Sequence, residues 1–169
     1  MKTAALRRLT ASVALGMAAA GVATLSAAPA LAQSHHDHGT AAPAKVRPEP
    51  GRKWATDGPL RDGMSRIRAL VEPQLAPAHA GKVNAAQYAA LAGRIETEVG
   101  GIVSNCKLEP EADAALHAVI AEIGAGTDAM AGKTAHQRPA QGLVQVAKAV
   151  NDYAGQFEHA GFKPIRNVH

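Results

Sequence analysis

From Thr56 to Pro77 the chain reads TDGPLRDGMSRIRALVEPQLAP, with apolar residues at Leu60, Met64, Ile67, Val71 and Leu75. Steps of four, three, four and four residues hold these side chains on one face of an α-helix, which turns about 100° per residue; a strand would need strict alternation. Asp57-Gly58-Pro59 supplies the start, because proline suits the first helical turn, where its missing N–H is not needed. Pro77 is the expected stop.

The same reading extends downstream. Asn84 and Gln87 are spaced as a capping box, and the stripe that follows is Tyr88, Leu91, Ile95, Val99, Ile102 and Cys106. Pro110, with Glu109, Glu111 and Asp113 around it, opens a third helix whose stripe is Ala112, Leu116, Val119, Ile120 and Ile123. Those carboxylates suit the positive end of the helix dipole. A fourth helix begins near Pro139, carries Leu143, Ala147, Val150, Ala154 and Phe157, and is expected to stop at Gly161. Short connections between long helices imply antiparallel neighbours. The expected fold is therefore all-α, an antiparallel up-down-up-down four-helix bundle over residues 56–162 with a short tail at 163–169. Gly100-Gly101 is expected to mark a close helix approach or a kink.

Upstream, residues 1–32 have the make-up of a cleavable export signal. Lys2, Arg7 and Arg8 form the positive start, Leu9 to Leu25 the apolar run, and Ala30-Leu31-Ala32 the small residues at the cut. Cleavage there places the mature protein in the periplasm, with no membrane attachment. Residues 33–55 then read as a disordered His-rich and Pro-rich linker, with Trp54 docking it to the helices.

Composition agrees with helices and excludes one class of partner. Only 3% of the 169 residues are aromatic, which argues against a strand-rich fold. The formal charge of +4 is concentrated in the signal: removing Lys2, Arg7 and Arg8 from the 18 Lys and Arg leaves 15, against 14 Asp and Glu. No basic face for nucleic acid survives that subtraction. The one cysteine, Cys106, forms no internal disulfide.

Two groups of residues carry candidate chemistry. Cleavage after Ala32 makes Gln33-Ser34-His35 the new start, so that a free amine, two backbone amides and an imidazole offer four nitrogens in a plane. Cu(II) and Ni(II) prefer that geometry, and His36, Asp37 and His38 add ligands. In the expected topology one end of the helices also gathers Met64, Cys106 and His117, with His159 beyond them; thioether, thiol and imidazole suit Cu(I). The metal ligands expected are thus His35, His36, His38, Met64, Cys106 and His117. No nucleophile elbow or phosphate loop is present, and no acid, base and nucleophile converge, so the protein is not expected to be an enzyme.

Trp54-Ala55-Thr56-Asp57, Pro59-Leu60-Arg61 with Gly63-Met64, and Asn105-Cys106-Lys107-Leu108-Glu109-Pro110 with Asp113 and Leu116-His117 resemble a family of small exported proteobacterial helical proteins, often labelled DnrO-like. The resemblance runs from Trp54 to Phe162. It implies that Met64, Cys106 and His117 belong to a family pattern, and it brings no activity with it. The expected function is periplasmic metal binding, most simply of copper, for buffering or delivery. The partners are then the ion and either another periplasmic protein or a second copy of this chain. The alternatives are a stress or chaperone-like interaction module and, behind it, a haem-binding four-helix protein with Met64 and His159 as the axial pair.

Overall fold

The computed structural model describes residues 47–169. The expected export signal and the histidines at 35, 36 and 38 lie outside them. Four α-helices account for the regular structure of the described residues: α1 Gly58–His79, α2 Ala85–Asn105, α3 Pro110–Met130 and α4 Pro139–Gln156. α1 packs on α2 and α4, and α3 packs on α2 and α4. Their inward faces share one apolar core.

The local signals act as the chain's chemistry dictates. Asp57 caps α1, its Oδ1 accepting from Leu60 N at 3.0 Å. Asn84 and Gln87 close the reciprocal pair at α2, with Gln87 N donating to Asn84 Oδ1 at 2.9 Å and Asn84 N to Gln87 Oε1 at 2.8 Å. Leu60, Met64, Ile67, Val71 and Leu75 are all buried. The second and third stripes are buried except at Val99, Cys106 and Ile120, which are half-buried.

Two boundaries differ from expectation. α1 runs through Pro73 and Pro77 to His79. Ala69, whose carbonyl loses its partner at Pro73, is exposed, so that carbonyl is not sealed away from solvent. The stop comes instead from Gly81 at φ +66°, with Gly81 N donating to Ala78 O at 3.0 Å and Lys82 N to Pro77 O at 2.9 Å. α4 ends at Gln156 rather than Gly161, because Phe157 turns extended (φ −113°, ψ 142°) and forms a bridge to Trp54. Trp54 N donates to Gln156 O and Glu158 N to Trp54 O, each at 2.8 Å. The tail at 163–169 is also tied down: the Asn151 amide bonds both the N–H (2.7 Å) and the carbonyl (3.0 Å) of Ile165, whose side chain is buried.

The close approach is not where the glycine pair suggests. Gly100 and Gly101 face open space. The helices meet instead at Gly126 of α3 and Gly142 of α4: a Cβ on Gly142 would lie 2.5 Å from Gly126 O and 2.8 Å from Met130 N. Both neighbours are backbone atoms that have no rotamer to move. Gly142→Ala is expected to destabilise by about 1–3 kcal/mol, the usual range for overpacking. Gly93→Ala, in the same kind of helical position but with nothing within 4 Å of the added Cβ, should instead stabilise by about 0.5–1 kcal/mol. Urea denaturation of the two variants beside the parent measures both signs.

Candidate functional site

Asp57 organises the end of the molecule where the candidate residues were sought. One carboxylate oxygen caps α1, and the other accepts from Lys107 N at 2.6 Å. The carboxylate thereby joins the start of α1 to the turn between α2 and α3. Thr56 beside it donates from Oγ1 to Glu158 O at 2.6 Å, and Arg61 donates to Thr56 O at 2.6 Å. The start of α1 is therefore bonded to the chain after α4 as well.

The three candidate donors meet different environments here. Met64 is fully buried in the core, its thioether surrounded by apolar side chains. Cys106 is the C-cap of α2, half-buried at the rim rather than at the centre of a helical stripe. Burial pushes its thiol above the ordinary range, and the carboxylates of Asp57 and Asp113 push it further the same way. A thiol ligand binds as thiolate, so this setting favours the form that does not bind metal. His117 is exposed on α3, with Nδ1 2.9 Å from Asp113 O and 3.3 Å from Asp113 Oδ2. Its Nδ1 is held by its own helix one turn back, which leaves Nε2 as the nitrogen that could face an ion. Among the described residues no group of three or more His, Cys, Asp or Glu is placed to hold a metal ion. The other end is similar: Met130 is buried, His136 is exposed, and exposed His79 stacks on His169 with centroids 6.4 Å apart.

His159 takes a position that helical spacing does not anticipate. Since α4 ends before it, the ring folds back instead of pointing outward. Nδ1 lies 2.9 Å from the Tyr153 hydroxyl, Nε2 3.4 Å from Ser65 Oγ, and Phe162 packs on the ring at a centroid distance of 4.7 Å. Both nitrogens face protein partners rather than Met64, which disfavours an axial role toward haem iron. The Tyr153–His159–Ser65 chain and the double role of Asp57 have no sequence motif. Only the proline-marked start of α1 pointed toward Asp57.

No protein-family model, curated protein or solved structure matches this chain. Its chemistry therefore has to be argued from its own residues.

The carboxylate of Asp57 and the thiol of Cys106 supply a direct check on this geometry. Asp57→Ala removes a cap and the bond to Lys107 N, so a loss of about 1–3 kcal/mol is expected. It also removes a negative charge that holds the thiol protonated. Cys106 should then react faster with a disulfide reagent at neutral pH, under conditions where the variant is still folded. An unchanged or slower rate would show that Asp57 does not govern the thiol.

Proposed function

We propose that the protein is an exported, periplasmic metal-binding protein, with copper as its ion and its ligands in the tail at His35, His36 and His38. One observation carries this reading: three imidazoles and the Asp37 carboxylate lie within four consecutive residues, 35–38. Such a composition binds borderline metals without a preformed cavity. The composition of residues 1–32 supports export, and export exposes the tail to the metal of the periplasm.

Met64, Cys106 and His117 are the weaker donor set in this proposal, since Met64 is sealed in the core, Cys106 is raised toward the thiol form, and His117 belongs to no group of three or more His, Cys, Asp or Glu among the described residues. The helices then act as the carrier of the tail. Their arrangement in this reading is an antiparallel up-down-up-down bundle, supported by the packing of each helix on its sequence neighbours and of α1 on α4. The likeness of Asn105–Pro110 and its surroundings to the DnrO-like proteins belongs to the same proposal. The second reading, an interaction module, draws on Val103, a large apolar side chain 56% exposed on α2.

Native mass spectrometry of the untagged protein from the periplasm tests the first reading. Added Cu(II) should give an adduct that disappears in the His35→Ala/His36→Ala/His38→Ala variant and persists in Met64→Leu and Cys106→Ser. A parent protein that takes no copper, or a triple variant that takes as much, overturns it. Growth then separates the two readings: deleting residues 33–38 should lower copper tolerance if the tail is the site, and leave it unchanged if the helices act as an interaction module.

A further inference from the structure

The chain beyond α4 is held down by a few polar bonds, and they gather around His159. Phe162 N donates to His159 O at 3.1 Å, closing a turn at Gly161 (φ +79°). Arg68 of α1 donates from Nε to Lys163 O at 2.6 Å, and Asn151 of α4 holds both backbone groups of Ile165. His159 itself links α4 through Tyr153 and α1 through Ser65. The segment therefore lies as a strap, residues 158–169, across these two helices.

The proton arrangement at the His159 ring follows from hydrogen-bond bookkeeping. Tyr153 is fully buried, and burial pushes its phenol well above the ordinary value, so the O–H keeps its proton. The partner of that hydroxyl among the described residues is His159 Nδ1. The O–H therefore donates to an unprotonated Nδ1, and the proton of the neutral ring sits on Nε2, facing Ser65. Adding a second proton makes Nδ1–H a donor, so the phenol oxygen must accept from it across 2.9 Å and turn its own O–H away from the ring. That O–H then has no acceptor among the described residues, which is costly for a buried group.

We propose that residues 158–169 are an acid-released strap: protonating His159 takes away the acceptor of the buried Tyr153 hydroxyl and loosens the strap from α1 and α4 while the four helices stay folded. The charged groups around the ring do not prevent this. From α1, Arg61 opposes the imidazolium and Asp62 favours it; Arg68 of α1 and Lys163 of the strap border the same cleft, and Glu158 precedes the ring on an exposed position. From α4 the facing group is the Tyr153 phenol. Burial is the largest influence on His159 and lowers it from its ordinary 6.5, with Arg61 acting in the same direction. A histidine lowered on folding stabilises the closed form above its ordinary value. That contribution is lost as pH falls from 6.5 through the lower value of the folded protein.

Amide hydrogen exchange of the full chain, corrected for intrinsic rates, reads the strap directly. Phe162 and Ile165 report on it, and Ile123 in the core of α3 serves as the reference. Going from about pH 7.5 to about pH 5, protection at Phe162 and Ile165 should fall at least about threefold relative to Ile123. His159→Gln, which does not titrate, should abolish that acid response whether its strap rests open or closed. Equal relative protection at both pH values overturns the proposal. So does an acid response that His159→Gln leaves intact, because another group would then be the trigger.

Discussion

The approach of α3 to α4 at Gly126 and Gly142 is the constraint on which the remaining packing rests. A Cβ on Gly126 would lie 2.8 Å from Gly142 O, and one on Gly142 would lie 2.5 Å from Gly126 O, so each glycine makes room for the other's backbone. With few aromatics, the core has little bulk with which to fill a wide gap. Close packing of small residues is the way such a core reaches normal interior density. Met130, Leu143, Val146 and Val150 are buried around that approach, and the inward faces of α1 and α2 complete the core.

At one end of the helices, polar bonds do what bulk cannot. Asp57 gives each carboxylate oxygen to a different backbone N–H, one in α1 and one after α2. The Trp54–Phe157 bridge and Thr56 bind the segment before α1 to the chain after α4. Tyr153, Phe157 and Phe162 cluster beneath that junction, with Tyr153 and Phe157 stacked at 5.1 Å and Phe162 edge-on to Tyr153 at 5.2 Å. The aromatic residues of a nearly aromatic-free chain are thus concentrated where its two loose ends are fastened.

This division of labour shapes what the folded part offers chemically. Several of its carboxylates and imidazoles are engaged in caps and with neighbouring side chains: Asp57 on two amides, Asp113 beside His117, and His159 on Tyr153. Burial pushes the Cys106 thiol up, and the negative charge that secures the α1 start adds to that push. A structural role and a metal-donor role compete there, since both carboxylates that raise the thiol stand at helix starts, Asp57 at α1 and Asp113 in the first turn of α3.

The sequence by itself determined the four helices, their starts at Pro59, Asn84, Pro110 and Pro139, and most of their buried faces. These follow from local chemistry, namely 3.6-residue periodicity, caps and the geometry of proline, which act within a few residues of each other. Only the tertiary structure decided that Gly126 and Gly142, not Gly100 and Gly101, are the contact points, because a glycine in sequence does not say which backbone will approach it. Tertiary structure likewise ended α4 before Phe157. The periodicity continues past that residue, but pairing with Trp54, more than a hundred positions earlier, outweighs another helical turn. That long-range pairing turns His159 from an outward residue into one held by Tyr153 and Ser65. The burial of Met64 followed from its place in the first stripe, but the environments of Cys106 and His117 were hidden: helical spacing gives a direction about one axis, while burial and charge depend on what other segments bring against it.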